Sequence, residues 1–141
     1  MANTSELLTI STLVYAPMET VWECYTQPEH ITQWNFASDD WCCPWAKVEL
    51  TPGGRMVSRM EAKDGSMGFD FEAIYEEVAS GSHLSYTLLD GRKVSTQFVQ
   101  DGDHIKVTTQ FDSETENDPE MQRAGWQAIL ENFKKHAEQQ T

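Results

Sequence analysis

Basic residues are scarce in this chain: ten Lys and Arg face 23 Asp and Glu, leaving a net charge of −13. They stand singly or in pairs such as Arg92-Lys93 and Lys134-Lys135. Nothing forms the cationic patch that nucleic acid or an anionic membrane surface attracts, so neither is expected as a partner, and a basic protein partner has no specific support. Long apolar runs are missing too, since no stretch approaches the roughly 18 residues of a membrane span. The first residues, Met1-Ala2-Asn3-Thr4-Ser5-Glu6, lack the basic segment and apolar run of an export signal, which leads to the expectation of a cytoplasmic protein without membrane insertion. Cysteine is limited to Cys24, Cys42 and Cys43, an odd number without C-x-x-C spacing, as expected of free thiols in a reducing compartment. The adjacent Cys42-Cys43 pair offers redox chemistry as an alternative, but inert buried thiols are the preferred reading. The histidines, His30, His83, His104 and His136, are not paired at ligand spacing, so no metal and no cofactor is expected.

Catalytic signatures are equally absent. There is no G-x-S-x-G, no H-E-x-x-H, no phosphate-binding glycine loop and no Cys-His pair at a suggestive spacing. Asp39-Asp40 beside Trp41 is the best candidate for a carboxylate kept protonated by burial, although a solvated turn or helix cap is the preferred reading. Glu61, Asp70 and Glu72 fall on the outer parity of their strands and supply no acid-base pair.

What is present suits one globular domain spanning 1–141. With 39% apolar residues and five tryptophans, a chain of 141 residues can bury a core without disulfide or metal staples. Three turn signals, Asp64-Gly65, Asp90-Gly91 and Asp101-Gly102, cut its middle into short alternating strands. A first strand is expected over 7–15, halted by Ala16-Pro17, then a helix to Thr26 with Val21, Trp22 and Tyr25 on one stripe, and a second short helix from Pro28 to about Trp34. Residues 35–45 read as a loop that packs Trp41 and Trp45 inward. Strands follow at 47–50 and 55–61, the latter with Met56, Ser58 and Met60 on one face. The longest strand, 68–78, alternates Phe69, Phe71, Ala73 and Tyr75 against Asp70, Glu72, Ile74 and Glu76. Inner faces are assigned as Leu84, Tyr86 and Leu88; Val94, Thr96 and Phe98; and Ile105, Val107, Thr109 and Phe111.

Asp118-Pro119-Glu120 then starts a last helix running to about Glu138. Its wheel places Trp126, Ile129, Leu130, Phe133 and Ala137 on one stripe, which has to face the sheet, with Gln122 in the middle of that stripe and Gly125 at its edge. A glutamine there either completes a core hydrogen-bond network or meets a ligand, because an unpaired buried amide costs about 1–3 kcal/mol. Gly125 either permits close packing or leaves room. An antiparallel sheet curled around such a helix leaves a hollow, and Trp34, Trp41, Trp45, Phe69, Phe71, Tyr86, Thr96, Phe98, Gln122, Trp126 and Ile129 are the candidate lining of a small-molecule site.

Taken together, Ala16-Pro17 with Val21-Trp22, Pro28-Glu29, Trp34, Asp40-Trp41, Pro52-Gly53-Gly54, the strand end 75–78, and Gln122 with Gly125-Trp126, Leu130 and Phe133 resemble the START-like (SRPBCC) superfamily. The branch is similar to the C-terminal domain of the activator of the 90-kDa heat-shock-protein ATPase. This resemblance covers nearly the whole chain. It implies the α+β helix-grip fold, β-α-α-β6-α, in which a seven-stranded antiparallel sheet wraps a long C-terminal helix over a hydrophobic cavity. It further implies binding of a small, largely apolar lipid-, polyketide- or aromatic-like molecule, and on the reading of the residues Gln122, Tyr86 or Thr96 is expected to meet its polar handles. An enzyme of the cyclase/aromatase or hydrolase type, and a chaperone-interacting module, are the alternative functions.

Overall fold

A computed structural model describes residues 6–140. The segment 1–5, on which most of the localisation expectation rests, lies outside them. In chain order the elements are β1 (Leu7–Val14), α1 (Met18–Thr26), α2 (Pro28–Ile31), β2 (Trp41–Cys42), β3 (Ala46–Val48), β4 (Arg55–Ala62), β5 (Gly68–Ala79), β6 (His83–Leu88), β7 (Lys93–Asp101), β8 (His104–Asp112) and α3 (Pro119–Gln139). Every strand pairing is antiparallel. The strands run β1-β8-β7-β6-β5-β4-β2, with β3 also on β4. Because β2 pairs with one end of β4 and β3 with the other, the two share a rank, and the sheet has the seven ranks of the helix-grip fold. No helix among the described residues is long and apolar enough to cross a membrane.

Alternation creates the inner wall. Every second residue is buried along β6, along β7 as far as Phe98, and along β8 to Phe111, as the pattern of those strands predicts. Left-handed backbone at Gly65 and Gly102 (φ +79° and +65°) closes two of the Asp-Gly turns, a conformation that costs other residues steric strain. Between Tyr75 and Glu77 the register of β5 against β6 shifts, so the longest strand bends where the sheet curls.

α3 fills the concavity. Asp118 Oδ1 accepts from the Glu120 amide at 2.9 Å and Pro119 occupies the first turn, which is the expected start. Leu130, Phe133 and Ala137 are buried, and Trp126 and Ile129 pack partly buried against the same core. Trp126 stacks on Phe111 of β8 at 4.0 Å between ring centroids and meets Phe71 edge-on at 6.3 Å. At Gly125 a methyl group would meet nothing within 4 Å, so this glycine leaves room.

α3 also covers the free edge of β1. The carbonyls of Ser11 and Leu13 accept from Gln127 Nε2 at 3.1 Å and Lys134 Nζ at 2.8 Å, while the Tyr15 amide donates to Glu138 Oε2 at 2.9 Å. Polar helix side chains thus complete part of the hydrogen bonding that a further strand would supply.

The structure departs from the sequence reading around the elbow. α2 ends at Ile31 because the Gln33 and Trp34 amides reach back only three residues, to His30 and Ile31, in tight turns. The expected loop 35–45 contains a two-residue strand, Trp41–Cys42, opposite Ala62 and Glu61. Trp45 does not pack inward: it is 42% exposed, with Lys47 Nζ 5.6 Å from its ring centroid. Alternation at the start of β3 turns Ala46 toward the core and Trp45 away from it.

Candidate functional site

Between the inner face of β4–β6, the α1/α2 elbow and α3 lies a cavity of about 230 Å³. Six of the residues singled out in the sequence line it: Trp34, Phe69, Phe71, Tyr86, Trp126 and Ile129. Met56, Met60 and Leu84 add aliphatic wall, and Tyr25, Ser58 and Tyr75 bring hydroxyls. The strand pattern had placed Ser58 and Tyr75 on the correct face, but the hydroxyl of Tyr25, on a helical stripe, carried no signal beyond its ring.

Five candidates are placed elsewhere. Trp41 meets Phe69 edge-on at 6.1 Å from the sheet rim, and Trp45 faces outward. Phe98 sits deeper, packed edge-on against Trp22 and Tyr25 at 5.3 and 5.2 Å. Thr96 is committed to a hydroxyl chain, 3.1 Å from Tyr25 Oη and 2.9 Å from Thr109 Oγ1.

Gln122 is committed as well. Its Oε1 accepts from the Glu114 amide at 2.8 Å, and its Nε2 donates to the carbonyls of Glu114 and Asn117 at 3.1 and 2.9 Å. It sits early enough in α3 to reach the preceding loop instead of the sheet, so of the two sequence readings the hydrogen-bond network is the one present. Gln122→Leu is therefore expected to lower stability by about 1–3 kcal/mol, because it strands three backbone groups, and to leave affinity for any cavity probe unchanged. Urea denaturation alongside probe titration checks both halves.

The polar end of the cavity is made of phenols. Burial pushes Tyr25 above its ordinary value, with the Thr96 and Thr109 hydroxyls opposing. Burial likewise pushes Tyr75 and, further, Tyr86 upward, each reinforced by neighbouring phenols. All three stay neutral near pH 7 and so keep a proton they can donate. No hydrogen bond joins the Tyr75 or Tyr86 hydroxyl to another described residue. Ser58 Oγ, near the Cys43 thiol, is buried without a hydrogen-bond partner among the described residues. Among the described lining residues none is an Asp, Glu or His.

A second cluster lies outside the cavity. Cys24 of α1, His30 of α2 and His136 of α3 bring one donor atom each within 4.8 Å of one another. No local spacing announces it, because Cys24, His30 and His136 come together only once α3 folds back onto the elbow.

Comparison with known proteins follows the fold closely. The profile of the family described as Activator of Hsp90 ATPase homolog 1-like protein matches residues 15–138. An AHSA1-like protein from Aeromonas hydrophila shares 41% identity, with 93% of this chain and 92% of that one covered and a TM-score of 0.85. A protein from Cytophaga hutchinsonii shares 42% over 94% and 92%, with a TM-score of 0.81. At 15% identity and a TM-score of 0.68, CalU16 from Micromonospora echinospora shares the fold over 94% of this chain and 76% of its own. No functionally curated protein matches the chain significantly.

Proposed function

Since the chain belongs to the Activator of Hsp90 ATPase homolog 1-like family, in the START-like superfamily, we propose that its cavity binds a small, largely apolar molecule of one or two rings. The observation that carries this reading is an apolar cavity bordered by the Tyr75 and Tyr86 hydroxyls, which hydrogen-bond to none of the described residues. Polar groups in an apolar wall are costly unless something accepts from them, and a carbonyl or hydroxyl on the ligand meets that need. At about 230 Å³ the space lies below the roughly 300–1,000 Å³ of drug-sized pockets, which limits the ligand to a compact one. The phenols donate and the rings of Trp34, Phe71 and Trp126 stack, which amounts to recognition without a base to abstract a proton.

The test uses 2-naphthol and naphthalene, two probes that differ by one hydroxyl, measured by calorimetric titration. Wild-type protein is expected to favour 2-naphthol by about tenfold, one good hydrogen bond, and Tyr86→Phe to erase most of that preference while still binding naphthalene. Absence of saturable binding by either probe, or a preference untouched in both Tyr86→Phe and Tyr75→Phe, overturns the reading.

A further inference from the structure

Where the last turns of α3 cross the elbow, His30 Nδ1 lies 2.9 Å from His136 Nε2, and Cys24 Sγ lies 3.9 Å from the same His30 nitrogen. Cys24 is almost fully buried and both histidines are half-buried, so the cluster opens to solvent on one side. Its backbone is fixed from within, since the Cys24 carbonyl accepts from Trp34 Nε1 at 2.8 Å. At 2.9 Å one imidazole nitrogen carries the shared proton and the other accepts it, so the two lone-pair directions already converge on the gap between the rings.

The geometry points to a site for a divalent metal ion of borderline softness, zinc by preference, held by Cys24 Sγ, His30 Nδ1 and His136 Nε2 with a fourth position open to solvent. A tetrahedral zinc with bonds of about 2.0–2.1 Å to nitrogen and about 2.3 Å to sulfur sets its donors roughly 3.3 Å (N to N) and 3.6 Å (N to S) apart. The two observed separations of 2.9 and 3.9 Å differ from these by a few tenths of an ångström, within reach of side-chain rotation. One thiolate with two imidazoles suits zinc, whereas calcium and magnesium prefer oxygen. Binding releases the Cys24 thiol proton to solvent and leaves each imidazole neutral, protonated on its outer nitrogen, at His30 Nε2 and His136 Nδ1. Without a metal, burial and then the nearby Glu23 carboxylate push the Cys24 thiol up to about 11. The same carboxylate offsets the one positive charge that a dication and a thiolate leave behind. The site joins α1, α2 and α3 and would act as a clamp where the described side chains offer packing and the Cys24–His30 and His30–His136 hydrogen bonds.

The test is zinc retention by the full chain, stripped with chelator, reloaded with zinc chloride and passed through gel filtration. One zinc per chain and a higher Tm are expected, together with a thiolate-to-metal absorption band when cobalt(II) replaces zinc. Cys24→Ala should abolish the band, and His136→Ala should weaken zinc binding by more than the 10–100-fold typical of losing an outer-shell partner. His83→Ala and His104→Ala serve as controls and should bind normally. If Cys24→Ala fails to fold, His30→Gln and His136→Gln, on half-buried positions, replace it. Substoichiometric zinc in the wild-type chain, or zinc binding unchanged in the ligand variants, overturns the site. Neither result bears on the cavity, which shares no residue with it.

Discussion

Phe133→Ala is expected to lower the unfolding free energy by about 3–5 kcal/mol, a large part of the 5–15 kcal/mol that domains of this kind possess. Phe133 is wholly buried and is the ring on which the elbow rests: Tyr25 and Trp34 meet it edge-on at 5.2 and 5.1 Å. Tyr25 also stacks on Trp34 at 5.5 Å, so the three rings brace each other and the collapse that would close a cavity is blocked. The loss therefore contains both the transfer term and the void left behind. Urea denaturation gives the number. A loss under about 1 kcal/mol would mean that the aromatic brace is not what holds α3 against α1.

Ser58→Leu is expected to abolish naphthalene binding, with affinity falling by at least about 100-fold, while the protein stays folded. Ser58 shares the inward face of β4 with Met56 and Met60, and all three line the cavity. Filling a tight core costs about 1–3 kcal/mol, but here the added carbons enter existing space and an unpaired buried hydroxyl is removed. The two effects oppose, so stability should change by no more than about 1 kcal/mol. Calorimetric titration with naphthalene, beside urea denaturation, separates a filled cavity from an unfolded protein. Undiminished binding in a folded Ser58→Leu chain would place the probe outside this space and sink the proposed function.

Much of this fold was legible because strand and helix periods are strictly local. The alternation of Phe69, Phe71, Ala73 and Tyr75 fixes one face of β5 whatever the rest of the chain does, and the stripe from Trp126 to Ala137 does the same for α3. Within the site, aromatic walls were legible for the same reason. Polar commitments were not. A wheel puts Gln122 on the buried stripe, yet it cannot show that a loop eight residues earlier offers its side chain an amide and a carbonyl. Thr96 likewise has the parity of a lining residue, and only the tertiary fold sets Tyr25 and Thr109 beside it. Trp45 was misread because aromatic mass suggested burial, whereas its place just before β3 decides which way it turns. The Cys24, His30 and His136 cluster needs three helices in contact, and 106 positions separate its two histidines.

The covering of β1 by α3 has a consequence in time. Leu7 pairs opposite Asp112 and Val14 opposite Ile105, and the helix side chains that complete the outer edge of β1 come later still. None of these partners is near β1 in sequence, so its strand pairing must await a large loop closure, the slow kind of step in folding. As the chain emerges from a ribosome, β4 through β8 can zip neighbour to neighbour, while β1 stays without hydrogen-bond partners until β8 and α3 arrive. The first strand made is thus the last to be closed, and the interval before closure is when this chain is most open to pairing with another copy of itself.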